Sequence, residues 1–126
     1  MANVNGMFAM EPPRIVAKTS AYTCKQQDTG TIFTTVGASG SVTFTLPPIS
    51  DGPFSFKFIC ATANAMVVAA QTADTMLTMN DLAADSISFA TTAEMIGGMV
   101  EVYCDGTTLF GFARLGTEAQ TPTIGT

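Results

Sequence analysis

The clearest strand pattern in the sequence is Gly40-Ser41-Val42-Thr43-Phe44-Thr45-Leu46-Pro47. Its apolar residues Val42, Phe44 and Leu46 alternate with hydroxyl residues, and this period of two is typical of a half-buried β-strand. The glycine that precedes the run costs backbone entropy in a strand, and the two prolines that follow it have no N–H to donate to a ladder. The stretch therefore predicts a strand with well-defined ends and one buried face.

Similar strand signals recur along the chain with turn residues between them, at residues 15–18, 22–25, 31–36, 54–60, 65–70, 74–79 and 86–90. In one of them Phe54, Phe56 and Phe58 share a face, which predicts a large contribution to the core because each aromatic ring buries a large apolar area. The spacing of strands and helices that a βαβ unit requires does not occur. We therefore expect an all-β fold, a single antiparallel β-sandwich, jelly roll or small barrel with an extended N-terminal arm.

The sharpest turn signal is Asp105-Gly106, which separates alternating runs at residues 99–104 and 107–114. Asp-Gly is favoured in two-residue type I′ hairpins because both central positions need positive φ. The sequence therefore predicts a two-residue hairpin here.

Thr91 and Glu94 have the spacing of a helix capping box, in which the Thr91 hydroxyl accepts the Glu94 backbone N–H and the Glu94 carboxylate accepts the Thr91 backbone N–H.

The two ends of the chain differ from the middle. Residues 1–13 have no steady period but are apolar, whereas disordered tails are usually polar, so we expect an extended arm that covers either its own domain or a neighbouring subunit. The candidate partner-contact residues of this arm are Met7, Phe8, Met10, Pro12 and Pro13. Residues 14–116 form the expected β-domain, and residues 117–126 a polar, mobile C-terminal tail.

Charge is sparse for a soluble domain. Only 12% of the residues are charged and the net charge is −5, against about 25% charged residues in typical soluble proteins. The mean hydropathy is +0.34, yet no apolar run approaches the roughly 20 residues of a membrane helix. The five cations are dispersed, which argues against a nucleic-acid partner. We therefore expect the apolar surface to be covered in a homo-oligomer or larger assembly.

Catalytic and metal-binding chemistry has little support in this composition. The chain has no histidine, the commonest general base and metal ligand. Cys24, Cys60 and Cys104 lack the CxxC spacing of a metal site, and we expect free thiols packed as small apolar residues. The sequence therefore predicts no catalytic, cofactor-binding or metal site.

Four carboxylates lie close in sequence, at Asp74, Asp81, Asp85 and Glu94. Paired carboxylates could serve a glycosidase, and an acidic loop could hold calcium. However, no aromatic sugar platform accompanies them and the DxDxDG spacing is absent, so we expect them to solvate loops.

The first residues lack the cationic start and apolar segment of a signal peptide, which predicts a protein made and kept in a cytoplasm.

The succession of strands and turns resembles small β-rich virion proteins of tailed bacteriophages, most closely capsid decoration (cement) proteins. The resemblance covers roughly residues 29–116 and is carried by residues 37–47, Gly52, Phe54-Ser55-Phe56, the short apolar strand that follows, Val102-Tyr103-Cys104-Asp105-Gly106-Thr107 and Gly116. The chain departs from that pattern after Asp-Gly-Thr, where Thr108 and Leu109 precede Phe110 and an aromatic residue would be expected sooner.

This resemblance implies a non-enzymatic structural role. Copies of such a protein, as dimers or trimers made in the host cytoplasm, would bind the outer capsid surface of the virion and clamp neighbouring major capsid proteins. Neither a membrane nor a nucleic acid would be a partner. The alternative is a tail or fibre module that binds a host receptor or glycan. A third class, a small β-barrel enzyme or lectin-like module, has no residue constellation to support it.

Overall fold

A computed structural model of the chain describes residues 14–126. The candidate contact arm, residues 1–13, lies outside the described residues. The all-β prediction is confirmed, since 42% of the described residues are strand and only 5% are helix. The helical residues form two 3-10 turns, Gln26–Asp28 and Ile49–Asp51. No helical segment within the described residues has the length and apolarity needed to span a membrane.

The described residues contain twelve strands, which form two sheets. In chain order the strands are β1 (Ile15–Ala17), β2 (Tyr22–Thr23), β3 (Ile32–Thr34), β4 (Val42–Thr45), β5 (Phe54–Ile59), β6 (Met66–Ala69), β7 (Met76–Thr78), β8 (Asp81–Ala84), β9 (Ser86–Phe89), β10 (Met99–Cys104), β11 (Leu109–Arg114) and β12 (Thr123–Gly125). The seven-stranded sheet has the order β1-β3-β5-β10-β11-β7-β8, and the five-stranded sheet has the order β12-β9-β6-β4-β2.

The first six strands alternate between the two sheets. Within each sheet these strands pair in parallel with the next strand of the same sheet: β1 with β3 and β3 with β5 in one sheet, and β2 with β4 and β4 with β6 in the other. The later strands β9, β10 and β11 pair antiparallel with their neighbours β6, β5 and β10. The predicted sandwich is thus built from mixed sheets and not from the purely antiparallel ones expected, and residues 14–126 form no closed barrel.

A single apolar core lies between the two sheets. The strand at residues 42–45 contributes Val42 and Phe44, which are fully buried together with the following Leu46. Across the core, the ring of Phe44 lies 4.9 Å from that of Phe58 and 5.6 Å from that of Phe33, measured between centroids. The predicted apolar face of the aromatic strand, Phe54, Phe56 and Phe58, faces this core.

The hairpin between β10 and β11 differs from the two-residue turn predicted. Its loop is residues 105–108, since Cys104 and Leu109 are the last paired residues. The Asp105 carboxylate accepts the N–H groups of Thr107 at 2.8 Å and Thr108 at 2.7 Å, and Gly106 has a φ of 95°. The Asp side chain therefore closes a longer loop in which positive φ occurs at the glycine and not at the aspartate.

The C-terminal residues were expected to be a mobile tail, and this is wrong for Thr123–Gly125, which pair with β9 as the edge strand of the five-stranded sheet. The buried Gln120 side chain fixes the segment that precedes this strand. Its oxygen accepts the N–H groups of Gly116 and Thr117, and its nitrogen donates to the carbonyls of Glu94 and Ile96.

The predicted capping box at Thr91 and Glu94 does not form. The Glu94 backbone N–H donates to the Thr91 carbonyl at 3.0 Å, not to its hydroxyl. The Glu94 carboxylate accepts the backbone N–H of Thr121 at 2.8 Å. The acidic side chain therefore fastens the C-terminal segment to the loop before β10, where the sequence had suggested a helix start.

Candidate interaction surface

The acidic residues singled out in the sequence form no metal centre among the described residues, where no group of three His, Cys, Asp or Glu side chains could hold an ion. Asp74 accepts the Ile49 backbone N–H at 3.0 Å, and Asp81 accepts that of Ala83 at 2.9 Å. With Glu94, three of the four carboxylates thus cap backbone groups. Their role in this structure is to hold loops.

The three cysteines are buried free thiols, as predicted. Burial, assisted by the nearby charge of Asp28, raises the pKa of Cys24 from 9.0 to about 12. Burial also raises the pKa of the Cys60 and Cys104 thiols. A thiol that stays protonated at neutral pH is a poor nucleophile and a poor metal ligand, so these residues serve the core.

The seven-stranded sheet presents its second face away from the core, and this outer face is the candidate interaction surface. Because Phe54, Phe56 and Phe58 face the core, the residues between them face outward. The strand registers align the outward residues in three rows, formed by Ser55, Tyr103 and Phe110; by Ile15, Ile32, Lys57, Glu101 and Phe112; and by Ala17, Thr34, Ile59, Met99 and Arg114. We call these residues the outer face.

Glu101 lies at the centre of the outer face and is only 9% exposed. Its carboxylate accepts a hydrogen bond from the Tyr103 hydroxyl at 3.2 Å and forms a salt bridge with Arg114 at 3.3 Å. Desolvation, and then the charge of Glu101, raise the pKa of Tyr103. The central charge is thus neutralised within the face, which leaves its surroundings available for apolar contact.

Large apolar side chains around this centre stay exposed. Tyr103 is 41%, Phe112 44% and Ile15 62% exposed. The Tyr103 and Phe112 rings form a tilted pair with centroids 6.3 Å apart. Isolated exposed apolar residues are common, but aligned apolar residues on one flat sheet face are a feature of protein interaction sites.

A groove of about 220 Å³ runs beside Tyr103 on this face, lined by Gly30, Thr31, Ile32, Ser55, Phe56, Lys57 and Tyr103. At Gly30 an added Cβ would meet no atom within 4 Å, so the space above this glycine is open. On the other side of Tyr103 a second, shallower depression is bordered by Thr29, Pro53 and Ser55. Tyr103 therefore stands as a ridge between two depressions.

The turn before Gly30 is fixed by a buried carboxylate, Asp28. Its oxygen accepts the Tyr22 hydroxyl at 2.8 Å and the Lys25 backbone N–H at 3.1 Å. Burial by itself would raise the pKa of Asp28, but these hydrogen bonds and nearby cations lower it below its usual value. The Gly30 N–H then donates to the Ser55 carbonyl at 2.8 Å, so this end of the groove is held in place.

The sequence interpretation missed the outer face, although its signal was present. The same alternation that places Val100, Val102 and Cys104 in the core places Glu101 and Tyr103 on the opposite side. Phe110 and Phe112 share a face of β11, and the register pairs them with Tyr103 and Glu101 on the outer side of the sheet. The predicted arm residues Met7, Phe8, Met10, Pro12 and Pro13 lie outside the described residues.

Comparison of the chain with protein-family models, with curated proteins and with solved structures finds no match.

Proposed function

We propose that this chain is a non-enzymatic virion structural protein that decorates a bacteriophage capsid. It acts as a homo-oligomer that binds across neighbouring major capsid proteins on the outer surface and stabilises the shell. The observation that carries the proposal is the outer face, on which Tyr103, Phe112 and Ile15 remain exposed in a single copy. The resemblance of its strands and turns to those of decoration proteins indicates that the partner is a major capsid protein.

The shape of the face supports a protein partner over a small ligand. The groove beside Tyr103, at about 220 Å³, is smaller than the roughly 300–1,000 Å³ of ordinary ligand pockets, and the depression on the other side of Tyr103, at about 330 Å³, is wide open to solvent. A face that contains the Glu101–Arg114 ion pair, Lys57 and a surround of aromatic and aliphatic side chains is suited to burial against another protein surface. The same outer face lacks a cluster of nucleophiles or bases that would suggest a reaction.

Decoration of a lattice does not need a strong single contact. When several copies of the chain are linked in an oligomer, each further contact forms at high effective concentration, so modest contacts add to a firm hold. The sparse charge of the chain, at 12% of residues, is consistent with a surface that is partly covered in the assembly.

The test is a binding measurement on purified capsids that lack the protein. Phe112→Ser should weaken binding about tenfold or more, because an exposed aromatic ring that becomes buried contributes about 1.5–3 kcal/mol. Ile96→Ser is the matched control, since Ile96 is 63% exposed but lies in the loop before β10. Equal binding by both variants and the parent protein would contradict the use of the outer face.

The second candidate is a tail or fibre module that binds a host receptor or glycan. It is favoured by one observation, the half-exposed Tyr103 ring with Ser55 and Lys57 beside it, since sugars bind against aromatic rings with polar groups nearby. The decoration proposal expects particles without this protein to lose heat or salt resistance. The alternative expects such particles to keep their resistance and lose adsorption to cells.

A further inference from the structure

The groove beside Tyr103 lies near the point at which the chain enters the seven-stranded sheet. β1 runs parallel to β3, and the Ile32 N–H donates to the Arg14 carbonyl at 2.8 Å. Gly30, at one end of the groove, immediately precedes this pairing. Residues 1–13 are therefore joined to the sheet at the same end as the groove.

The walls of the groove are suited to one large apolar side chain. The Tyr103 ring, the Ile32 side chain and the stem of Lys57 border it, and the open space above Gly30 lets a partner approach the backbone. Its charged border is cationic, through Lys57. A complementary partner would carry an aromatic or long aliphatic side chain with a carboxylate a few residues away.

Residues 7–11, Met-Phe-Ala-Met-Glu, have this composition. Glu11 is the one charged side chain among residues 1–13, and it follows the apolar group directly. We propose that the groove beside Tyr103 binds this N-terminal segment from a second copy of the chain, with Phe8 in the groove and Glu11 near Lys57. The inference rests on the proposed homo-oligomer and identifies which part of the outer face the copies use.

Pro12 and Pro13 favour a second copy of the chain, and not the same chain, as the source of the segment in the groove. Pro12 and Pro13 fix φ near −65° and favour an extended backbone at the residue before each of them. Three residues of extended backbone span about 9 Å, at about 3.1 Å per residue. The groove of the same chain lies beside Gly30 and Ile32, next to Arg14, so an approach within one chain requires a reversal close to the proline pair, which proline disfavours, whereas an approach from a second copy requires none.

The proposal is tested with engineered cysteines, in Ala9→Cys and Ser55→Cys variants of the full chain. One variant is isotopically labelled, the two are mixed and mildly oxidised, and peptides with a 9–55 disulfide are identified by mass spectrometry. The native thiols are buried free cysteines, which disfavours their participation. We expect the interchain 9–55 peptide at about ten times the yield of a 9–96 peptide from an Ile96→Cys control.

The outcomes separate the alternatives. A 9–55 disulfide that forms within a single chain carrying both Ala9→Cys and Ser55→Cys, but not between the two mixed variants, would overturn the exchange between copies. A yield no higher than that of the 9–96 control would overturn binding of the segment at the groove altogether. If either occurs while Phe112→Ser still weakens capsid binding, the inference about the arm fails and the proposed function stands.

Discussion

At the scale of single residues, small side chains matter as much as the aromatic core. Gly111 lies on the core side of β11 opposite Val102, where an added Cβ would overlap the Met76 sulfur and lie 2.9 Å from Ile87 Cδ1. The apolar alternation of β5 predicts the position of its aromatic residues from sequence alone. The need for a glycine at 111 depends on two side chains from other strands, so no local pattern could reveal it.

Gly111→Ala should lower the free energy of unfolding by about 1–3 kcal/mol, because the extra methyl group overfills a packed core. The matched control is Gly40→Ala, since an added Cβ at Gly40 meets nothing within 4 Å. Urea unfolding of both variants measures the difference. Equal stability of the two variants would show that the Met76 side chain moves aside without a cost in free energy, and would contradict this prediction.

The buried thiols predict a loss of stability at high pH. The pKa of Cys24 rises from 9.0 to about 12 on folding. A pKa raised by folding contributes stability that is present below the unfolded value and is lost as the pH rises through the folded value. Unfolding free energy should therefore fall between about pH 9 and pH 12.

Urea unfolding in the presence of reductant, from about pH 8 upward, checks this expectation. In Cys24→Ala the fall should be shallower, and part of it should remain because the pKa values of Tyr22 and Tyr103 are also raised. An identical pH dependence in the variant and the parent protein would contradict the assignment to Cys24.

At the scale of elements, the edges of the sheets are held by side chains distant in sequence. The Gln120 amide joins the turn at Gly116 to the loop carbonyls of Glu94 and Ile96, and so positions β12 against β9. A polar C-terminal stretch gives little sign of such a strand. The signal that decides it is a buried amide with partners more than twenty residues away.

Gln120→Ala should cost about 2–4 kcal/mol in unfolding free energy, because four part-buried backbone groups lose the buried amide as their partner. Gln71→Ala is the comparison, since the Gln71 amide donates one hydrogen bond, to the Leu46 carbonyl at 3.0 Å. That variant should lose about 1 kcal/mol or less. Similar losses in both would show that the C-terminal strand is held mainly by its backbone pairing.

Strand positions were largely predictable because alternation is local, whereas turn lengths were not. The Asp105-Gly106 signal located the hairpin between β10 and β11 correctly. It did not predict that the Asp105 carboxylate would accept two N–H groups and extend the loop to residue 108. The competition between a side chain and the backbone for the same hydrogen bonds decided that detail.

At the scale of the whole molecule, the alternation of the first six strands between sheets sets the architecture. Between the paired strands β3 and β5, and between β4 and β6, the chain crosses the core and adds one strand to the opposite sheet. Sequence patterns predict that a strand has a buried face but do not specify its partner, so an all-β sandwich was predictable and the mixed order was not. The outer face follows from that order, because it aligns residues from five strands.

In the proposed function, this chain decorates a capsid through the outer face of its seven-stranded sheet. This proposal can be tested by a cryo-electron microscopic reconstruction of virus particles that contain the protein. We expect density for the β-domain on the outside of the shell, with Phe112 against major capsid proteins. Density at the tail or a fibre tip, or on the capsid with the outer face turned toward solvent, would contradict it.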